Sequence, residues 1–320
     1  MYRALPLLAL TLVAACGDDS SMSMGPQGGD APPQAVAAKG GPKSVPLNGR
    51  IYFAALITGQ YDLYSMKPDG TDRRRITFTV DDNEFFPDVS PDGKKLTYMV
   101  KHAAGIDLFT INTDGTGTRR LTFFNADPVN FVSLRGPRWS PDGRRIAFSN
   151  VDPATQTSAI FVMGATGSQI TRISPEELVL RIDPDFSPDG QTVVFGEFDA
   201  NSNTFSLKTM PAVGGPITNL GGCGPTYCYR PTWSPDGTRI YTETGDSRIY
   251  QYVLAPIPYS GVVQTGLVDI AGGSPAFAPD GSRFAFADIT QHLLVADVNN
   301  YAPGTTIASG VTSAGMSWGR

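Results

Sequence analysis

From Pro87 onwards, one arrangement of apolar and polar positions recurs along the chain. Its copies are PDVSPDGKKLTY from Pro87, PRWSPDGRRIAF from Pro137, PDFSPDGQTVVF from Pro184, PTWSPDGTRIYT from Pro231 and PAFAPDGSRFAF from Pro275. Each has a short alternating run, a Ser/Ala-Pro-Asp-Gly tetrad, and a second run rich in β-branched or aromatic residues. Alternation with period two argues for half-buried strands. In the tetrad, proline presets φ, aspartate suits the second central position and glycine takes the left-handed conformation. Each copy therefore predicts two strands joined by a tight turn, not a catalytic Ser/Asp motif.

The turn glycines fall at Gly93, Gly143, Gly190, Gly237 and Gly281, at intervals of 50, 47, 47 and 44 residues. Repeats of about 40–50 residues have propeller-blade length. A degenerate copy at Asn48-Gly49, inside PLNGRIYFAAL, adds a sixth unit. Within the third unit the pattern predicts strand A over Pro137–Ser140, B over Arg145–Ser149, C over Ala159–Met163 and D over Ile170–Ile173. Further turns follow strand C at KPDGTD, NTDGTG and GATGSQ. The first unit lacks strand A, and Gly315-Met316-Ser317-Trp318 reads as a lone strand A, with Trp318 matching Trp139 and Trp233. The expected fold is all-β: a six-bladed β-propeller with four-stranded antiparallel blades. A C-terminal strand joins the N-terminal blade and closes the ring.

These repeats resemble the TolB-type propeller repeat, related in pattern to WD40-like blades, over residues 46–320. They also resemble the propellers of oligogalacturonate lyases and of prolyl-oligopeptidase-type peptidases. The TolB resemblance implies the propeller itself. The α/β domain that precedes TolB's propeller has no counterpart in the reading of the residues before Pro46.

Those residues read differently. Arg3 followed by an apolar stretch over Ala4–Ala14 is the pattern of an export signal, too short for an ordinary membrane span. It ends in Val13-Ala14-Ala15-Cys16, which resembles a bacterial lipobox with Cys16 as the lipidated residue. Residues 1–15 are thus expected to be a signal peptide. Residues 16–45 are expected to be a lipidated cysteine and a disordered tether, since Gly, Pro, Ser and Ala cannot bury enough surface to order a chain. Residues 46–320 are the propeller. The resulting localisation is the cell envelope, on the periplasmic side of the outer membrane, with the lipid anchor as the membrane contact. The net charge of −5 gives no reason to expect nucleic acid. No cofactor or metal is implied, and a monomer is expected.

Strands running alternately up and down put the A–B and C–D turns on one face, here the turn face. The B–C and D–A loops share the other, the loop face, where a rigid scaffold usually carries its binding residues. Candidate binding residues there are Phe85, Phe86, Phe131, Arg181, Asp183, Tyr227, Tyr229 and Arg230, aromatics mixed with arginine as in interface hot spots. Strand A lines the channel, and the residues after its proline are Asp88, Arg138, Asp185, Thr232 and Ala276, with Ser317 in the closing strand. Cys223 and Cys228 are expected to form a disulfide in an oxidising compartment.

Three catalytic or metal readings are weaker. The segments from Asp88 and Asp185 imitate the start of a calcium loop but lack its terminal glutamate. Gly315–Gly319 matches the nucleophile elbow, yet no helix or later partners follow. His102 and His292 are too few for a histidine-rich metal site and are expected at the surface. The function expected is binding of an envelope protein or an extended peptide. The alternatives are a glycan- or lactone-directed hydrolase or lyase at the channel mouth, and a structural spacer.

Overall fold

The computed structural model describes residues 49–57, 59–123, 133–152, 157–222, 228–244, 248–254, 262–271, 273–288, 291–298, 304–309 and 312–319. These residues form six four-stranded antiparallel sheets. In blade 1, strand A is Thr312–Gly319, B is Arg50–Leu56, C is Tyr61–Met66 and D is Arg74–Arg75. The A strands of blades 2 to 6 are Asn83–Val89, Ser133–Trp139, Leu180–Phe186, Cys228–Trp233 and Gly273–Phe277. Each A strand packs against the A strands of the blades before and after it, and blade 6 returns to blade 1. The A strands are therefore innermost, and the ring is closed by the C-terminal strand, with Ile51 opposite Trp318 and Phe53 opposite Met316.

The repeated tetrads are built alike. Ser90, Ser140, Ser187 and Ser234 place Oγ 2.5–2.7 Å from the Oδ1 of Asp92, Asp142, Asp189 and Asp236. The same hydroxyls accept from the backbone N–H that starts strand B, at Lys95, Arg145, Thr192 and Arg239. These serine hydrogen bonds hold the carboxyls of Asp92, Asp142 and Asp189 below the usual range. Each turn also touches its neighbour. The left-handed glycines Gly143, Gly190, Gly237 and Gly281 face Pro91, Pro141, Pro188 and Pro235 of the preceding blade. The repeated sentence is thus a turn and a blade-to-blade contact together.

Apolar residues of the B and C strands fill the space between blades. One cluster joins Leu63, Leu96, Leu108, Ile146 and Phe148, and another joins Ile160, Val193, Phe195 and Met210. Further out, a buried aspartate fastens strand D in blades 1 and 2. Asp62 meets Arg75 at 2.8 Å and Asp107 accepts from Thr122 at 2.7 Å. Thr77 and Thr122 in turn accept from the N–H groups of Leu63 and Leu108.

Candidate functional site at the channel and loop face

All six A strands contain a β-bulge, seen as one extra residue against strand B. At five of them a bulged residue is left-handed: Phe86 (φ 52°), Gly136 (56°), Asp183 (52°), Arg230 (48°) and Gly315 (92°). Side chains other than glycine pay about 1–2 kcal/mol for this conformation. Bulges re-aim a side chain, and here they aim three into the channel.

Phe86 and Arg230 stand on blades 2 and 5, three places apart in a ring of six. The Arg230 guanidinium carbon lies 4.8 Å from the centre of the Phe86 ring. Arg230 also pairs with Glu243 at 3.0 Å, and its N–H donates to Asp183 Oδ2 at 3.3 Å. The two glycine bulges make room for this bar. A Cβ on Gly136 would come 2.9 Å from the Cα of Asp183, and one on Gly315 would come 2.7 Å from the Phe86 ring. What remains between these residues is a cavity of about 10 Å³, room for no more than one water.

Towards the turn face lies a second polar layer that sews blade to blade. Asp88 pairs with Arg138 at 3.1 Å and accepts from the Trp139 N–H at 2.7 Å. Asp185 accepts from the Trp233 N–H at 3.0 Å, and Ser317 Oγ from the Val89 N–H at 3.0 Å. Burial raises the Asp185 carboxyl to about 6 against the pull of Arg138, and Thr232 also bonds it. Burial raises the Asp88 carboxyl too. Asp88, Arg138, Asp185, Thr232 and Ser317 thus meet one another or a neighbouring blade's backbone, and these contacts are interblade fasteners. Ser317 of the elbow-like segment spends its hydroxyl in the same way.

The loop-face candidates separate. Phe85, Phe86, Arg181, Asp183, Tyr229 and Arg230 lie in A strands, not in the D–A loops where the sequence places them. Phe85 is buried against Tyr61, with ring centres 4.9 Å apart. Arg181 is fully buried, bonded to Glu197 at 2.8 Å, to Glu177 and to the carbonyl of Pro175. Both are core residues that an arriving partner would not touch. Cys16, Phe131, Cys223 and Tyr227 lie outside the described residues. The histidines are part-buried in place of exposed. His102 Nε2 is 3.0 Å from Asp107 and its Nδ1 accepts from the Ala104 N–H, while His292 lies 3.1 Å from Asp288. Among the described residues no three His, Cys, Asp or Glu converge as metal ligands.

The residues that do stand out on the loop face are others. Phe78 is 70% exposed, Val80 83%, Phe123 73% and Leu178 68%, all in D–A loops of blades 1 to 3. Leu56 and Ile57, at the B–C loop of blade 1, extend the same arc. Two of the aromatics are packed by arginines. Arg75 stacks on Phe78 at 4.8 Å and Arg120 on Phe123 at 4.7 Å. Both arginines also donate to a carbonyl two residues on, at Thr77 and Thr122. The signal for this pair is the repeat Arg74-Arg75-Ile76-Thr77-Phe78 and Arg119-Arg120-Leu121-Thr122-Phe123, whose phenylalanine follows the last core residue of the blade.

No protein-family model and no curated protein matches the sequence. Among solved structures, a protein named as TolB from Agrobacterium tumefaciens superposes with a TM-score of 0.61 at 20% identity, covering 84% of this chain and 92% of that one. A chain of a nidogen/laminin complex gives 0.66 at 12% identity, covering 85% and 99%. An oligogalacturonate lyase in complex with manganese gives 0.54 at 12% identity, covering 76% and 72%. What these likenesses share with the chain is the fold, and that fold is a β-propeller.

Proposed function

We propose that the chain is a lipid-anchored cell-envelope propeller that binds another envelope protein or an extended peptide through its loop face. The observation that carries this reading is the apolar arc of Phe78, Val80, Phe123 and Leu178 on three consecutive blades. Exposed apolar side chains beside arginine have the composition of a protein-contact site. Clamping of two phenylalanines by arginines lowers the ordering cost of binding. The channel residues are committed to bonds within the ring, so the reading places the partner across the loops and not through the hole.

The same proposal includes lipidation at Cys16, a tether over residues 16–45 and a disulfide between Cys223 and Cys228. Cys228, at the start of blade 5's strand A, is fully buried. That bridge would tie the start of blade 5's strand A to Cys223. Retention of a membrane protein by the full-length chain, lost when the arc is made polar, is the test.

A further inference from the structure

The first and last loops of the apolar arc are fastened from the same strand position. In blades 2 and 4 the residue two places before the left-handed bulge is Glu84 and Arg181, and each reaches back to the D–A loop of the blade before it. Glu84 Oε1 accepts from Thr79 Oγ1 at 2.7 Å and its Oε2 from Thr77 Oγ1 at 3.2 Å, the residues on either side of exposed Phe78. Gln60, in the B–C loop of blade 1, donates to the Thr79 carbonyl. Arg181 holds the loop that carries Leu178, through the Pro175 carbonyl at 3.0 Å and the Glu177 carboxylate.

The two fastenings differ in charge balance. Arg181 meets Glu197 at 2.8 Å as well as Glu177, and a guanidinium keeps its charge throughout the range in which proteins fold. Glu84 is 1% exposed, and no cation meets it among the described residues. The groups that face it are Asp62 of strand C in blade 1, Asp82 of the loop itself and the Tyr98 phenol of strand B in blade 2. Arg75 spends its charge on Asp62 at 2.8 Å, and Arg138 of blade 3's strand A spends its own on Asp88. Lys101 stands opposite Asn83, so its side chain leaves the other face of the sheet. Strand A of blade 1 carries no titratable side chain, and those of strand B, Arg50 and Tyr52, lie towards the turn face. A buried carboxyl that faces carboxylates binds its proton tightly. Burial, with Asp62 and Asp82 adding to it, carries Glu84 from 4.5 to about 7.

We propose that Glu84 is a proton-operated latch on the loop-face site: with its proton it keeps the loop of residues 78–82 closed, and without it the loop opens to hydrate the carboxylate. Its consequence rests on the loop-face reading above, since an open loop takes Phe78 and Val80 out of the arc. Closure holds a proton, so opening becomes easier by up to tenfold per pH unit from about 5 to about 7 and then levels off. The loop of residues 174–179, fastened by Arg181, has no such dependence.

The test is backbone hydrogen exchange on the full-length chain at pH 5, 6, 7 and 8, corrected for the intrinsic rate at each pH. Opening of residues 78–82 should rise about 40-fold between pH 5 and 7 and only about twofold from 7 to 8, while residues 174–179 stay level. Glu84→Gln, a neutral isostere of the protonated carboxyl, should keep the loop closed at every pH. The comparison of the two loops in the wild type needs no variant, so it stands even where Glu84→Gln weakens the ring. Opening of residues 78–82 that ignores pH, the same rise in residues 174–179, or an unchanged slope in a folded Glu84→Gln would overturn the proposal. The latch fails on exchange and the loop-face reading fails on partner capture, so the two failures are told apart.

Discussion

Arg230 and Phe86 meet across the axis of the ring, guanidinium over aromatic face at 4.8 Å, from blades that are not neighbours. Each is held in a left-handed bulge that its side chain would not choose. The bar closes the channel and ties opposite sides of the ring, a linkage that neighbour-to-neighbour packing does not supply. The double cycle Phe86→Leu, Arg230→Met should therefore show coupling of about 1–2 kcal/mol in chemical denaturation, the range for a desolvated cation–π pair. Additive single effects would show that the contact contributes nothing of its own.

The turn network predicts a stabilising change. Blade 6 has Ala278 where four other turns have a serine bridging Asp Oδ1 and the first N–H of strand B. In blade 6 the Asp280 carboxylate is met by Ser282 instead. Ala278→Ser should add about 0.5–1 kcal/mol, one net buried hydrogen bond. Ser140→Ala should cost about 1–2 kcal/mol, because it leaves the Arg145 N–H without that acceptor. No gain from Ala278→Ser together with no loss from Ser140→Ala would contradict the role given to the tetrad.

Glu84 sets a pH dependence. It is buried among Thr77, Thr79 and Asp62, and burial raises its carboxyl from 4.5 to about 7. A carboxyl raised on folding binds its proton more tightly in the native state. Its stabilisation is full below the unfolded value and is lost as pH rises through about 7. Asp185 acts in the same sense, up to about 6. The turn aspartates, held low, act in the opposite sense and lose their contribution in acid. Melting temperature should thus decline between pH 5.5 and 8, and Glu84→Gln should flatten that decline. An unchanged slope in the variant would show that Glu84 is not the group responsible.

Much of the ring was legible because its turns are local. Pro-Asp-Gly fixes a backbone shape by itself, and the 44–50-residue spacing carried the blade count and the closing strand at Trp318. The prolines of the five SPDG- or APDG-bearing A strands were visible, but the bulge before each one was not, since Phe86 and Arg230 carry no preference for positive φ. That is why residues read as loop hot spots are strand residues aimed inward. Arg181 misled for a related reason. Its burial depends on Glu197 arriving from strand B of the same blade, which no local pattern announces. Conversely, Phe78 and Phe123 sit in the same local motif as the buried Ile76 and Leu121. Only the fold shows that the blade ends between Thr77 and Phe78.

The most direct test of the loop-face reading is capture from membrane extracts of the source organism with the full-length chain. The comparison bait carries Phe78→Ser, Phe123→Ser and Leu178→Ser, side chains already in water, so the fold should melt within a few degrees of wild type. The account predicts a membrane protein retained by the wild type and lost by the folded variant. The same retention by both would contradict it.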